Sequence, residues 1–152
     1  MREATGNIWD YRSSMKVIPV NLGWTKYGWN VMGRGLAQQA KERYWNLPKV
    51  YGKYCCEMAA QNRIYIIRFN DLLLFPVKPL NKSNPHLSWM QPANLELIEE
   101  STKLLSEFFD REILVPLVGC GNGRLSESEV LPVLHKYLTN DRFILIRNNP
   151  VD

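Results

Sequence analysis

The sequence predicts an α/β protein, a three-layer α/β/α sandwich with a mixed central sheet. Three observations lead there. Apolar runs of strand length alternate with segments of helical period, the order that stacks helices against a sheet. Residues 113–118 (ILVPLV) are apolar one after another, as in a strand covered on both faces. Two apolar runs, 17–21 and 113–118, are each followed by a glycine turn and then a helical pattern.

Each element has its own signal. Strands are expected over 2–8 and 16–21. A helix over 34–45, with Leu36, Ala37 and Ala40 on its apolar face, should stop before Pro48. A second helical stretch, 49–61, has Val50, Tyr54 and Met58 at four-residue spacing. Strands over 63–69 and 72–77 flank Asn70-Asp71, a hairpin turn. The segment 78–91 holds Pro79 and Pro85 and should be irregular. Pro92 then opens a long helix whose buried stripe is Leu95, Ile98, Leu105 and Phe109. Beyond the glycine strand, Ser126 and Glu129 stand in capping-box spacing, although Pro132 conflicts with a regular helix beginning there. A last strand, 143–147, closes the sheet.

Bulk properties bound the function. With 152 residues, 45% hydrophobic and 22% charged, the chain suits one core and is expected to form a single unit over 1–152. No apolar run reaches the roughly 18 residues of a membrane span, and the start MREATGNIWD lacks a signal-peptide core. The cysteines number three, an odd count that makes a poor disulfide framework, so a cytoplasmic protein without a membrane partner is expected. Cys55 and Cys56 read as small buried or half-buried residues. His86 and His135 are the only histidines and no CxxC pair exists, so neither a metal site nor a cofactor is expected. A net charge of +4 and a pI near 9.0 fit an anionic ligand.

The glycine turns carry the chemistry. In VPLVGCGNGRL (115–125), a strand runs into Gly119, Gly121 and Gly123 and then a helix; in VMGRGLAQQAKERY (31–44), Gly33 and Gly35 precede a helix. Backbone N–H groups converge on an anion in such turns, and glycine has no Cβ to hold a phosphate away. A tight strand-to-helix connection favours glycine too, but two such turns can grip one extended diphosphate from opposite sides.

In order, four segments resemble those of the macro domains, α/β/α modules that bind ADP-ribose: GNI (6–8), VIPVN (17–21), VMGRGLA (31–37) and PLVGCGNGRL (116–125). A fifth, FPVK (75–78), is similar to the segment bearing the catalytic lysine of one branch. That branch holds the DNA ADP-ribosyl glycohydrolase antitoxins and the terminal ADP-ribose glycohydrolases. The likeness runs from residue 6 to the helix ending near Leu138.

The resemblance implies a site, and each residue also has a plainer reading. Asn7 and Ile8 would meet the adenine, with Asn7 replacing the aspartate that accepts from its amino group; otherwise Asn7 is a polar residue at a strand end. Asn21 would contact the distal ribose and share catalysis with Lys78; otherwise it is a turn residue. Met32, Gly33, Arg34 and Gly35 would form the first loop, with Arg34 where close relatives often carry lysine. Gly119, Cys120, Gly121, Asn122, Gly123, Arg124 and Leu125 would form the second. Cys120 has no basic partner in sequence and reads as a packed small residue, not a nucleophile. Lys78 would attack the anomeric carbon of the distal ribose as a neutral amine; a lysine there is otherwise a solvated strand end. Ile18 replaces an asparagine of the family, and Gly123 an aspartate of the terminal glycohydrolases, so no general acid is identified.

Three functions follow from that likeness: a lysine-dependent glycohydrolase that removes ADP-ribose from a macromolecule such as a DNA base, a phosphatase of ADP-ribose 1″-phosphate, and a non-catalytic reader of ADP-ribose. Trp24, Lys26, Tyr27 and Trp29 interleave aromatic and basic groups, as a surface for single-stranded DNA would or as a lid over the site would; Trp89 can line the same cleft.

Overall fold

The computed structural model describes residues 1–148; the end of the expected unit, 149–152, lies outside the described residues. Six strands form one sheet in the order β1-β6-β5-β2-β4-β3. They are β1 (Arg2–Thr5), β2 (Met15–Asn21), β3 (Ile67–Phe69), β4 (Leu72–Lys78), β5 (Ile113–Val115) and β6 (Phe143–Arg147). All neighbours pair parallel except β3 and β4, which form an antiparallel hairpin around Asn70, at φ +53°. The sheet is therefore mixed, as the sequence predicts.

Alternation along the strands divides the core into two layers. Met15 and Val17 of β2, Leu73, Phe75 and Val77 of β4, and Ile113 and Val115 of β5 share one cluster. This face is covered by α3 (Leu95–Ser106) and α4 (Glu127–Tyr137), through Ile98, Leu105, Val130 and Leu134. The intervening residues Ile18, Val20, Leu72 and Leu74 face the other way, against α1 (Gly35–Arg43) and α2 (Leu47–Gln61). Helix, sheet and helix make the expected three layers.

Several boundaries differ from the sequence reading, each for a local reason. The first strand stops at Thr5, because Asn7 Oδ1 accepts from the Trp9 N–H at 3.0 Å and starts a 3₁₀ turn, Ile8–Asp10. The first helix ends before Pro48 as expected, at Arg43, but Pro48 itself belongs to the next helix: it sits in the opening turn of α2, where no N–H is missed. The buried stripe of α2 is Leu47, Tyr51, Cys55 and Met58, leaving Val50 half-buried and Tyr54 exposed. Within 78–91 a 3₁₀ turn, Pro85–Met90, replaces the expected irregular loop.

Helix α3 is capped by Asn94, whose Oδ1 accepts from the Leu97 N–H at 2.9 Å, and not opened by Pro92. It ends at Ser106, so Phe109 is exposed instead of completing the stripe. β5 ends at Val115, since Pro116 cannot continue the ladder. Helix α4 begins where the capping box places it, with the Glu129 carboxylate accepting from the Ser126 N–H at 3.1 Å. Pro132 lies inside α4; the carbonyl it leaves unbonded one turn back belongs to exposed Ser128, which meets water.

Candidate functional site

The chain leaves β2 towards α1 on one layer and leaves β5 towards α4 on the other, and these two strands are neighbours. Neighbouring connections that part to opposite faces open a crevice at the carboxyl ends of the strands, the general place for ligands in open α/β sheets. A cleft of about 1100 Å³ lies there.

One wall is the head of α1. Its N-cap, Arg34, makes no side-chain capping bond, and the first turn holds no acidic residue. The leading N–H groups of a helix have no partner within it, so Gly35, Leu36 and Ala37, all lining the cleft, present donors and the positive end of the helix dipole. Gly35 turns the chain at φ +55°, a conformation a side chain would strain.

The opposing wall is the 3₁₀ turn Gly121–Gly123, entered through Gly121 at φ +67°. A Cβ on Gly35 would stand 3.4 Å from Asn122 Nδ2, so the two glycine loops meet across the cleft. The second loop is pinned from below. Ala93 N–H donates to Gly123 O at 3.0 Å, and the next residue, Asn94, donates its N–H to Val77 O at 2.9 Å. This short relay ties the glycine loop to the end of β4, where Lys78 stands.

Lys78 and Asn21 are set side by side by a slip in register. β2 and β4 pair regularly up to Val20↔Pro76, then Asn21 pairs with Lys78 and Val77 is passed over. Pro76 has no N–H for the ladder, and bulges of this kind re-aim the residue that follows. The Asn21 amide is held firmly: Nδ2 donates to Val31 O at 2.9 Å, and Oδ1 accepts from Gly23 N–H at 2.9 Å and Asn30 Nδ2 at 3.0 Å. Val31 O only accepts and Gly23 N–H only donates, which fixes the amide's orientation. Both oxygen lone pairs are used, and one Nδ2 proton remains.

The Lys78 amine is half-buried and donates to Trp89 O at 2.8 Å. Burial draws its pKa below the ordinary lysine value, and the guanidiniums of Arg34 and Arg124 push the same way. Among the described residues no carboxylate lines the cleft; its charged side chains are Arg34, Lys78 and Arg147. Arg147 is engaged elsewhere, by Glu127 at 2.6 Å and Glu3 at 3.6 Å. Cys120 lines the cleft too, but burial and then Glu127 and Glu129 raise its thiol pKa, the opposite of a nucleophile's tuning.

Of the residues the sequence singles out, Asn7, Ile8, Asn21, Met32, Gly33, Arg34, Gly35, Lys78, Gly119, Cys120, Gly121, Asn122 and Gly123 all line this one cleft. Arg124 and Leu125 do not; Arg124 turns at φ +68°, and Leu125 packs towards Gly119 and the core. Asn7 reaches the cleft, but its oxygen already caps the 3₁₀ turn at Ile8. Trp89 lines the cleft, as expected. The loop 22–30 is no lid: Trp24 packs into the layer of α1 and α2, and the loop lies against Gly52 of α2, with Tyr27 and Trp29 exposed. Residues that the sequence reading did not assign to the site line it too, among them Gln39, Pro116, Leu117, Ile146, Arg147 and Asn148. Arg147 follows an apolar run just as Lys78 does, a signal that points to a strand's carboxyl end.

No known family model matches the sequence, and no curated protein does. Solved structures do resemble the fold. The macrodomain of Thermus aquaticus DarG superposes with a TM-score of 0.70 at 25% identity, covering 98% of this chain and 97% of that one. The macrodomain of Mycobacterium tuberculosis DarG gives 0.72 at 23% identity, with 98% and 97% covered. Thermosipho africanus DarTG in complex with ADP-ribose gives 0.71 at 21% identity; 99% of this chain is covered, spanning 42% of that longer one. With the mixed six-stranded sheet and the crevice at its switch point, these likenesses give the chain the macrodomain fold, similar in structure to the macrodomains of DarG.

Proposed function

We propose that this macrodomain binds ADP-ribose in the cleft and acts as an ADP-ribosyl glycohydrolase, releasing ADP-ribose from a macromolecule. The observation that carries this reading is the meeting of two glycine loops beside a half-buried lysine whose charged neighbours, among the described residues, are the cations Arg34 and Arg124. The N–H groups at the head of α1 and in the turn Gly121–Gly123 hold the diphosphate. Ile8, Leu36 and Ile146 offer an apolar slot for the adenine ring, with Asn7 at its rim. Asn21 turns its remaining amide proton to the distal ribose, next to Lys78.

The lysine acts as nucleophile. The Nζ lone pair forms a bond to the anomeric carbon, and the bond to the attached group breaks with its electron pair leaving on that group. The group takes up the proton that Nζ loses, and water then displaces the amine to give free ADP-ribose. Lowering the amine's pKa makes the neutral form that this step needs easier to reach. A modified single strand of DNA would rest its bases on exposed Tyr27 and Trp29, with Lys26 at 5.1 Å from the Tyr27 ring to meet a phosphate. The three free cysteines suit a cytoplasmic setting.

One observation favours a second reading, that of a reader without turnover: among the described residues the cleft offers no carboxylate to protonate a leaving group. Incubation with ADP-ribosylated DNA, ADP-ribosylated protein and ADP-ribose 1″-phosphate separates the readings. Free ADP-ribose from either macromolecule supports the glycohydrolase, phosphate from the small ester supports a phosphatase, and binding without any product leaves the reader.

A further inference from the structure

We propose that Trp89 is a positioning residue for Lys78, its main-chain carbonyl aiming the amine and its ring seating the Arg34 guanidinium beside it. The inference rests on the proposed role of Lys78 as nucleophile. Lys78 Nζ donates to Trp89 O at 2.8 Å, and the Arg34 guanidinium lies 5.1 Å from the centre of the Trp89 ring. One residue thus touches both cations that approach each other at the mouth of the cleft. A neutral amine that gives one proton to a carbonyl has its lone pair directed away from that carbonyl, so the hydrogen bond selects a direction of attack. Stacking on an indole face holds Arg34 where repulsion between like charges disfavours the ammonium form.

Trp89 is itself well anchored. Its turn, Pro85–Met90, is closed by buried Ser88, whose Oγ donates to Pro85 O at 2.8 Å and accepts from Asn81 N–H at 2.9 Å. Gly23 presses on this turn so closely that a Cβ there would stand 2.1 Å from Pro85 O. Among the described residues, the charged groups facing the amine are Arg34, from the head of α1, and Arg124, from the loop ahead of α4. The cleft's other titratable side chains are Cys120 and Arg147, the latter paired with Glu127.

The test is the titration of Lys78 itself, followed by NMR of ¹³C,¹⁵N-lysine-labelled protein, together with the pH profile of ADP-ribose release. Arg34→Gln and Trp89→Ala should each move the Lys78 titration, and the acid limb of kcat/KM, up by about one pH unit. Both Trp89 variants keep the main-chain carbonyl, so Trp89→Phe, which also keeps a ring face for Arg34, should restore most of the wild-type position. Arg34→Lys should fall between, since an ammonium stacks less well than a guanidinium. Unmoved titration in Arg34→Gln and Trp89→Ala overturns the proposal, and exposed Arg34 decides alone if Trp89→Ala fails to fold. Absence of any turnover by the wild type would count against the glycohydrolase; the NMR titration would still read the arrangement around the amine.

Discussion

Two lysines stand on the adjacent strands β2 and β4, at opposite ends of the sheet, and the chain treats them in opposite ways. Lys16, at the amino end of β2, is only 2% exposed, yet paired: Nζ donates to Asp71 Oδ2 at 3.0 Å and to Ser14 O at 2.9 Å. Tyr44 completes the group by donating to the other Asp71 oxygen at 2.5 Å. Lys78, at the carboxyl end of β4, is less buried but faces two guanidiniums and one carbonyl. The deeper lysine is a settled ion pair, and the shallower one is held against its charge. What surrounds the amine, more than its depth, decides which end of the sheet is built for chemistry.

The contrast sharpens under mutation. The largest effect is expected from Lys78→Ala, which should cut ADP-ribose release by more than about a thousandfold, the scale of losing a nucleophile. Calorimetric affinity for ADP-ribose should persist in that variant, and turnover retained within tenfold would remove the amine from the mechanism. At the other end, Asp71→Ala strands a buried ammonium and should cost about 3 kcal/mol in denaturant unfolding. Its ADP-ribose affinity should match the wild type, since the Lys16 group does not line the cleft. A fall in affinity as large as the fall in stability would mean that the two ends are coupled.

Gly121→Ala should have a smaller and local effect. Nothing lies within 4 Å of the added Cβ, so the fold loses only the strain of φ +67°, about 1–2 kcal/mol. Binding should suffer beyond that, because the methyl intrudes where the diphosphate lies; equal affinity for ADP-ribose would argue against the cradle.

The mildest effect is on acid stability. Burial alone would raise the Asp71 pKa, but hydrogen bonds from Tyr44 and Lys16 outweigh it and leave the carboxyl below its usual value. A group depressed in the folded state stabilises above its unfolded pKa of about 3.9, and that contribution is lost as pH falls through the folded value. Thermal melts should therefore drop below about pH 4, and Asp71→Asn should flatten that drop; an unchanged slope would show that other carboxyls control it.

Much of this was legible from the chain, where the signal is local. Phe143–Arg147 is the strand its apolar pattern predicts, and the Ser126–Glu129 box places the start of α4. The glycine turns announce the cleft because the backbone conformations they adopt are themselves local. What the sequence hid depends on neighbours remote in the chain. Ile146, Arg147 and Asn148 reach the cleft only because β6 lies beside β5, which no spacing encodes. Phe109 looks like a continuation of the α3 stripe, but the helix has already ended at Ser106. Asn7 is a different case: it reads as a ligand group, but its bond to the Trp9 N–H, two residues on, is a local turn that the sequence reading passed over.

The slipped register between β2 and β4 makes the spacing of the main chain a functional trait in its own right. Replacing a core side chain near the cleft leaves Asn21 and Lys78 abreast, because the ladder places them. Losing or gaining a single residue between Leu72 and Lys78 is a different event: side chains alternate along a strand, so the amine would point into the opposite layer. Diversity in this protein's lineage should therefore accumulate by substitution along β4 and seldom by changes in its length.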